Sequence, residues 1–290
     1  MLLRTQQLDH ASLIALQALL TACRTTDGHA IPVYPHLLTE HRSGPPSLLF
    51  YDHDELVGFL AAFHFHPHTC EISLLVEPSH RRQNIAHLLW HTMLANLYTI
   101  RPSITQLIIS TPHAFHNHLL NHHEFYFDHS QHDMELIDFT SSRIPDTPLI
   151  IYPAEHAHIS NLCLIDKACF DPNRQHPELR FQRAIATPNI HVFVAEHAGQ
   201  IIGQVQLTYE KNQVRLTDLA VLPAWQGRGF GQALVVHCIN HAFKHHQAHI
   251  TLVVAAKNQY ALKLYQHLGF QIYNTVDYYK HDLTDFKRGL

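Results

Sequence analysis

The spacing of apolar residues along the chain predicts a mixture of amphipathic helices and short strands. In the second half, apolar side chains at helical spacing predict a helix over residues 154–170, followed by a second helix. Strand-like runs at 190–196 and 201–209 flank a short turn and predict a hairpin. The next predicted strand covers residues 214–221 and ends before Pro223. Helices and strands in this order predict a domain that contains both.

The two halves of the chain repeat the same pattern at one fixed offset. Gly58 and Leu74 align with Gly203 and Leu219, each 145 positions later, and no insertion interrupts the alignment. Each half predicts two helices, a hairpin, a strand that ends in a polar turn, a long helix, a strand, a short helix and final strands. We therefore predict two tandem α/β domains, each an α+β arrangement with a mixed, mostly antiparallel sheet flanked by helices.

The domain boundaries follow from this repeat. We predict an N-terminal domain over residues 1–140, a linker over 141–148 and a C-terminal domain over 149–290. The linker contains Ser141, Ser142 and two prolines, which is typical of an exposed connection.

A glycine-rich loop follows the predicted strand that ends at Val221. It reads Gln226-Gly227-Arg228-Gly229-Phe230-Gly231-Gln232 and leads into a predicted helix. Glycines let the backbone fold closely around a ligand, and the first N–H groups of the helix attract an anion. The third glycine is one residue too early for a dinucleotide-binding fingerprint, and no Walker sequence is present. The loop therefore predicts a pyrophosphate site of another kind.

Two motifs resemble those of a known family, the GNAT (GCN5-related) N-acetyltransferases. The run from Val221 to Gly231, with Pro223 and Gln226, resembles their motif A. Thirty residues further on, residues 258–270 resemble their motif B, in which Asn, Ala, Tyr and Gly-Phe recur. The resemblance implies acetyl-CoA as the cosubstrate and an amine as the acceptor.

The resemblance also implies a role for each motif residue. The backbone of the strand end would pair with pantetheine, the loop would hold the diphosphate, and an N–H near Val221 would bind the thioester oxygen. Tyr265 would be the general acid, and Asp218 is the candidate general base, with Glu196 and Glu210 as weaker candidates. Packing in the core is the alternative for Tyr265, and a solvated strand position is the alternative for Asp218. The expected cofactor-binding residues are Leu219, Ala220, Val221, Gln226, Gly227, Arg228, Gly229, Phe230, Gly231, Gln232 and Asn258.

The first copy of the repeat lacks several of these residues. Arg82 and Asn84 replace the two central glycines, and Leu120 replaces the motif-B tyrosine. Asparagine tolerates a left-handed backbone, whereas arginine does not adopt it readily. We therefore predict a structural or acceptor-recognition domain, with at most weak coenzyme A binding through Arg81 and Arg82.

The composition narrows the remaining classes of function. The formal net charge is −4 with all histidines counted as neutral, and no basic stripe with interleaved aromatic residues is present, so nucleic acid is not an expected partner. Five cysteines without a C-x-x-C pair indicate reduced thiols in a cytoplasmic protein, and no apolar run predicts a membrane span. Thirty histidines occur without H-E-x-x-H or a Cys/His quartet, so we expect them on solvated faces and expect no metal site.

The acceptor is open to several interpretations. The chain resembles tandem GNAT proteins such as mycothiol synthase and the VipF-type effectors that bacteria inject into host cells. The histidine-rich composition favours the effector group, which implies a lysine or N-terminus of a host protein as the acceptor. The alternatives are a small-molecule N-acetyltransferase for an amino sugar, polyamine, antibiotic or thiol precursor, and a coenzyme A-binding pseudoenzyme or interaction module. Tyr278 and Tyr279 either line the acceptor groove or pack against the sheet.

Overall fold

The computed structural model of the protein describes residues 1–66, 68–100, 103–113, 118–139, 149–170 and 176–283. The predicted linker at 141–148 lies outside these residues. Among the described residues, no helix has both the length and the apolar composition needed to cross a bilayer.

The elements follow the predicted order in both halves. The helices are α1 His10–Asp27, α2 Pro35–Leu38, α3 Ile85–Ile100, α4 His118–His122, α5 Ile159–Cys169, α6 Pro177–Ala186, α7 Phe230–Lys244 and α8 Gln259–His267. The strands are β1 Leu2–Thr5, β2 Ser47–Asp52, β3 Glu55–His66, β4 Thr69–Val76, β5 Gln106–Pro112, β6 Tyr126–Leu136, β7 Leu149–Pro153, β8 Ile190–His197, β9 Gln200–Tyr209, β10 Val214–Val221, β11 Ile250–Ala255 and β12 Phe270–Asp282. The predicted helix over 154–170 begins instead with a short 3-10 turn, His156–His158, and becomes α-helical at Ile159.

The first compact unit comprises Met1–His132, Ala255–Lys257 and Asn274–Leu290. Its sheet begins with β1-β2-β3-β4-β5 and continues with β12, which pairs antiparallel with β5 from Val276 to Asp282. The neighbours β4 and β5 are parallel, whereas the pairs from β1 to β4 are antiparallel. Helix α3 buries a face that includes Leu89, Trp90 and Met93 in the core of this sheet. Burial of each such side chain contributes about 1.5–3 kcal/mol.

The second compact unit comprises Asp133–Val254 and Asn258–Tyr273. Its sheet contains β11-β10-β9-β8-β7, with β10 and β11 parallel and the other pairs antiparallel. The hairpin turn between β8 and β9 places Ala198 at φ 50° and Gly199 at φ 77°, which matches the twist of the strands it joins. Helix α7 covers one face and buries Leu234, Cys238 and Ile239.

The two compact units have other boundaries than the two contiguous domains predicted from the sequence. The first unit takes in Asn274–Leu290 from the C-terminal end, and the second unit begins at Asp133 rather than at 149. The sequence predicted final strands in this region, but a sequence pattern does not specify the neighbour with which a strand pairs.

Candidate functional site

Strands β10 and β11 separate partway along their length. Their parallel ladder joins Val214–Leu216 to Ile250–Leu252, and no further pair joins these two described strands. Strand β10 nevertheless continues to Val221 and β11 to Ala255. Backbone N–H and C=O groups along this part of β10 therefore border a gap in which an extended ligand could pair with them.

A β-bulge occurs on β10 beside this gap. The register with β9 shifts by one residue between Thr217 and Ala220, so Asp218 and Leu219 together oppose Val205. Asp218 has φ 50°, in the left-handed region. A bulge of this kind bends the strand and changes the direction of its side chains and amides.

The hydrogen-bond pattern after the bulge gives the direction of each backbone amide. The Leu222 N–H donates to the Ile202 oxygen at 2.8 Å. The direction of the backbone N–H groups alternates along an antiparallel strand. The Val221 N–H therefore points away from β9 and toward the gap, whereas the Ala220 N–H points toward β9. Of these two predicted pantetheine contacts, Val221 is placed for a backbone hydrogen bond and Ala220 is not.

The glycine loop connects the end of β10 to helix α7. Gly227 has φ 75° and Gly229 has φ 83°, conformations that favour glycine. The Gln226 side chain donates to the Val221 oxygen at 2.8 Å and so fixes the loop on the strand. A Cβ atom added at Gly227 would meet no atom within 4 Å apart from those of the adjacent residues, so the backbone here is accessible.

Helix α7 begins at the end of this loop without a capping side chain. Its first N–H groups, from Phe230, Gly231 and Gln232, have no intrahelical acceptor because they precede the first helical hydrogen bond. Together with the helix dipole they form a site suited to a phosphate. Arg228 is exposed, and its guanidinium lies over the Trp225 ring, 5.0 Å from the centroid.

Helix α8 carries the two predicted residues of motif B. The Asn258 side chain accepts from the Ala261 N–H at 3.1 Å, so Asn258 is the N-cap. Tyr265 is 6% exposed and belongs to the core of the second unit, with its ring 5.8 Å from that of Phe270. Burial raises the pKa of Tyr265, so its phenol stays protonated at neutral pH.

Asp218 belongs to a network of charges that connects β10 to two helices. Arg180 on α6 donates to Asp218 Oδ2 at 3.0 Å and also to the buried carboxylate of Asp166 on α5. A pocket of about 420 Å³ adjoins this network, and its lining includes Asp218, Arg180, Arg183 and His176. The pocket thus combines one carboxylate with the guanidinium groups of Arg180 and Arg183.

A sequence profile of the acetyltransferase (GNAT) family matches residues 13–99 and 157–270, which is more than half of the chain. The chain belongs to the GNAT family. Acetyl-CoA is the cosubstrate of GNAT proteins. The accessible glycine loop and the uncapped N-terminus of α7 suit the diphosphate of acetyl-CoA.

Sequence comparison finds similar mycobacterial proteins. An uncharacterised N-acetyltransferase of Mycobacterium tuberculosis H37Rv is 31% identical over 97 residues, which is 33% of this chain. The match spans 62% of that relative's length. The N-alpha-acetyltransferase RimI of the same organism is 26% identical over 128 residues, or 43% of this chain and 79% of RimI.

Structural comparison supports the tandem GNAT fold over nearly the whole chain. A GCN5-related N-acetyltransferase from Sphaerobacter thermophilus superposes with a TM-score of 0.80 at 13% identity, covering 97% of this chain and 96% of the other. A tandem GNAT protein from the clavulanic acid biosynthesis pathway gives a TM-score of 0.73 at 13% identity, covering 97% and 98%. At this identity the likeness shows the fold alone, and it confirms the predicted fold class.

The first unit keeps the conformation of the GNAT loop without its glycines. Arg82 and Asn84 have φ 64° and φ 63°, close to the values of Gly227 and Gly229. The expectation that arginine would avoid this conformation is therefore wrong for Arg82. The loop is held as in the second unit, because Arg81 Nε donates to the backbone oxygen at the end of β4, as Gln226 does on β10.

A pocket of about 670 Å³ lies beside this loop of the first unit. Its lining includes Arg82, Ser110 and Thr111, and the two hydroxyl oxygens are buried without a hydrogen-bond partner among the described residues. Arg81 donates to both carboxylate oxygens of Asp27 at 2.7 Å. This pairing holds the Arg81 guanidinium within the protein, so the predicted contact with coenzyme A would rest on Arg82.

The first unit differs from the second at the positions predicted for chemistry. Ser73 stands at the position of Asp218 and lies in regular register opposite Ala61, so β4 lacks the bulge of β10. Leu120 stands at the position of Tyr265 and is buried. The first unit therefore has the cleft and the loop conformation but neither the bulge nor the two candidate catalytic side chains.

Several residues of interest were not found by the sequence analysis. Arg180 and Asp166 are far from Asp218 in sequence, and only the fold brings them together. Gln204 and Thr217 hold buried polar side-chain atoms without a partner among the described residues, beside the bulge. No local pattern in the sequence distinguishes these four residues from ordinary strand and helix positions.

Tyr278 and Tyr279, on the last strand, belong to the first unit. The Tyr278 ring stacks on His129 with centroids 4.6 Å apart, and Tyr279 lies edge-on to Phe127 at 5.7 Å. This arrangement favours the interpretation that they pack against the sheet.

Histidines also form clusters, although the sequence predicted solvated positions. His123 is 8% exposed, and burial with the neighbouring His122 lowers its pKa to about 4. His87 and His91 lie close to it in the first unit. A second cluster on α7, around His241, lies in the second unit.

Proposed function

We propose that the second unit transfers an acetyl group from acetyl-CoA directly to a primary amine, with a lysine or N-terminus of a protein as the acceptor. The observation that carries the proposal is the gap beside β10, which leads to the left-handed glycine loop and the uncapped N-terminus of α7. Family membership supports the same donor site.

The donor would lie along the free edge of β10. Its diphosphate would accept hydrogen bonds from the N–H groups of Phe230, Gly231 and Gln232, and its pantetheine arm would follow the strand toward the bulge. The Val221 N–H would donate to the thioester oxygen. This oxygen gains negative charge as the amine attacks, so the hydrogen bond is stronger in the transition state than in the ground state.

The acceptor would enter from the pocket that Asp218 lines. An amine attacks only in its neutral form, yet a free lysine has a pKa of about 10.4, so a proton must leave it. Asp218 is the proposed proton acceptor, directly or through a water molecule. The presence of Arg180 and Arg183 in the pocket disfavours a polyamine and favours an acceptor with an anionic group near its amine.

The chemical step needs no acyl-enzyme. The amine nitrogen forms a bond to the acetyl carbon, the carbon–sulfur bond breaks, and Tyr265 donates a proton to the leaving thiolate. Burial raises the pKa of Tyr265, so the phenol carries its proton when the donor binds.

The protein acceptor has support from RimI, a relative whose name describes N-alpha-acetylation. A small-molecule amine is the second candidate, since a pocket of about 420 Å³ has the volume of a small ligand. Delivery into a host cell stays a prediction from the sequence, as does a coenzyme A-binding role without catalysis.

The test is release of coenzyme A thiol in the presence of acetyl-CoA and panels of amines. The panels would include peptides with a free N-terminus, N-blocked peptides with lysine, and small amines with and without a carboxylate. Turnover with peptides is the expected result, and turnover with small amines alone would support the second candidate. Absence of turnover with every amine would contradict an acetyltransferase.

We expect Tyr265→Phe to lower kcat by about 10²-fold or more while KM for acetyl-CoA changes little, because the phenol acts only on the leaving group. Tyr260→Phe is the matched control, since Tyr260 lies on the same helix with 69% exposure. Equal activity of the Tyr265 and Tyr260 variants would exclude Tyr265 as the acid.

A further inference from the structure

Three histidine side chains of the first unit lie together outside the acetyl-transfer site. His87 and His91 are one helical turn apart on α3 and therefore share a face of that helix. His123 follows the end of α4. One ring nitrogen from each of the three lies within 4.8 Å of the others.

His123 has a buried nitrogen that the protein leaves without a partner. The residue is 8% exposed, and its ring packs against Trp90 with centroids 5.4 Å apart. Its Nε2 has no hydrogen-bond partner among the described residues. A buried polar atom without a partner is unfavourable, so its presence calls for an explanation in terms of a bound group.

The chemistry of the donor set selects the kind of group. Three imidazole nitrogens suit borderline transition metals, whereas Mg²⁺ and Ca²⁺ require oxygen ligands. In a tetrahedral zinc site the bonds of roughly 2.0–2.1 Å place neighbouring nitrogens about 3.4 Å apart. Small side-chain rotations of the exposed His91 and the half-exposed His87 would bring the three ring nitrogens to this spacing.

We propose that His87, His91 and His123 bind one divalent transition-metal ion, with Zn²⁺ as the best match, and leave one coordination position to water or an anion. The ion joins α3 to the segment after α4 and satisfies the buried nitrogen of His123. Because His87 also lines the pocket of about 670 Å³, the ion lies at the border of that pocket.

The second unit supplies a matched control within the same chain. His241 and His245 are also one turn apart on a helix, with rings 4.3 Å apart. Their Nδ1 atoms, however, already have partners, the Tyr209 hydroxyl at 2.8 Å and the His241 backbone oxygen at 2.9 Å. This pair tests whether histidine density alone is sufficient for binding.

The experiment uses the full chain, purified without an oligohistidine tag and stripped of metal with a chelator. Zn²⁺ is titrated against a competing chromophoric chelator, and Co²⁺ is titrated with visible absorption as the readout. The variants are His91→Gln, His123→Gln and His245→Gln. Because His91 is exposed, its replacement leaves the core intact even if the His123 variant folds poorly.

The expected result is one saturable site in the unmodified chain with the intense absorption of tetrahedral Co²⁺. His91→Gln should weaken Zn²⁺ binding by at least about tenfold, because loss of a direct ligand should cost no less than loss of an outer-sphere partner. His245→Gln should leave the affinity unchanged. Absence of a saturable site, weak octahedral-type Co²⁺ absorption, or equal effects of the His91 and His245 substitutions would overturn the proposal.

Discussion

At the residue scale, Asp218 has a left-handed backbone conformation and forms an ion pair with Arg180. It occupies the bulge of β10 with φ 50°, and its carboxylate is 14% exposed and paired with Arg180. Arg180 in turn contacts Asp166, whose side chain is 3% exposed. A proton acceptor and a residue that merely positions α6 through Arg180 would both fit these contacts, and substitutions distinguish them.

We predict that Asp218→Asn lowers kcat by about 10²–10⁴-fold, the usual contribution of a positioned base. Asparagine tolerates the left-handed backbone, so the strand should keep its conformation. The measurement is kcat at saturating acetyl-CoA and acceptor.

Arg180→Met is the companion variant, because it breaks the ion pair and leaves the Asp218 carboxylate in place. A much smaller loss of kcat in this variant supports Asp218 as the base. If both variants lose activity equally, the network has a positioning role instead.

At the element scale, the turn from β10 into α7 has the same backbone path as the turn from β4 into α3. One uses Gly227 and Gly229, and the other uses Arg82 and Asn84. A left-handed conformation costs a residue with a side chain about 1–2 kcal/mol, so surrounding contacts must hold the first-unit loop in place. The side-chain hydrogen bond of Arg81 to the end of β4 is one such contact.

We predict that Gly227→Ala raises KM for acetyl-CoA about tenfold or more, because the Cβ enters the space in which the diphosphate would lie. Gly199→Ala is the control. Gly199 has a similar left-handed φ of 77° and open space around it, but it lies in a hairpin turn. Both should lower the free energy of unfolding by about 1–2 kcal/mol. An unchanged KM in Gly227→Ala, measured by steady-state kinetics, would show that the loop does not contact the donor.

The order of elements was predictable from the sequence, because apolar spacing and the fixed offset of the repeat both report on local structure. The glycine loop and the cap at Asn258 were predictable for the same reason. The bulge was not, since one extra residue opposite Val205 leaves the alternation on either side intact. The partners of Asp218 were not predictable either, because ion pairs between distant segments depend on packing.

At the scale of the whole molecule, the histidines make stability depend on pH. Burial and then the neighbouring His245 lower the pKa of His241 from 6.5 to about 4, and burial lowers the pKa of His191 and His237. Lys244 and the Tyr209 hydroxyl also face His241. In the unfolded chain these histidines bind protons below about pH 6.5, before the folded protein does.

We therefore predict that their contribution to stability is complete above about pH 6.5 and is lost progressively as the pH falls to about 4. The melting temperature, followed by calorimetry, should fall over this range. In His241→Gln the fall should be smaller. A melting temperature that is constant or rises on acidification would contradict the prediction.

The first unit includes a segment from the C-terminal end of the chain, so a C-terminal truncation should destabilise this unit. Asn274 makes two hydrogen bonds to the backbone of Ala30, at 2.9 Å and 3.0 Å, and β12 pairs with β5 over Val276–Asp282. Chains that end at Tyr273 should lose these contacts and the burial of Val276, at a cost of several kcal/mol. That is a large fraction of the roughly 5–15 kcal/mol that stabilises a domain.

Trp90 lies in the first unit and Trp225 in the second, so tryptophan fluorescence can report the unfolding of each unit separately. In a Trp225→Phe background, emission from Trp90 should shift to longer wavelength when the chain ends at Tyr273. It should stay native when the chain ends at Leu283, which retains β12. Native Trp90 emission in the shorter chain would contradict the prediction.

The late position of β12 also affects how the protein is made. Its partner β5 leaves the ribosome long before β12, and at the roughly 5–20 residues per second of translation the interval is on the order of ten seconds. During that time the edge of β5 has unpaired backbone groups, a template for pairing with other nascent chains. The half of the polypeptide that is synthesised first is thus the half whose folding is finished last, and chaperones that cover strand edges should matter most in that interval.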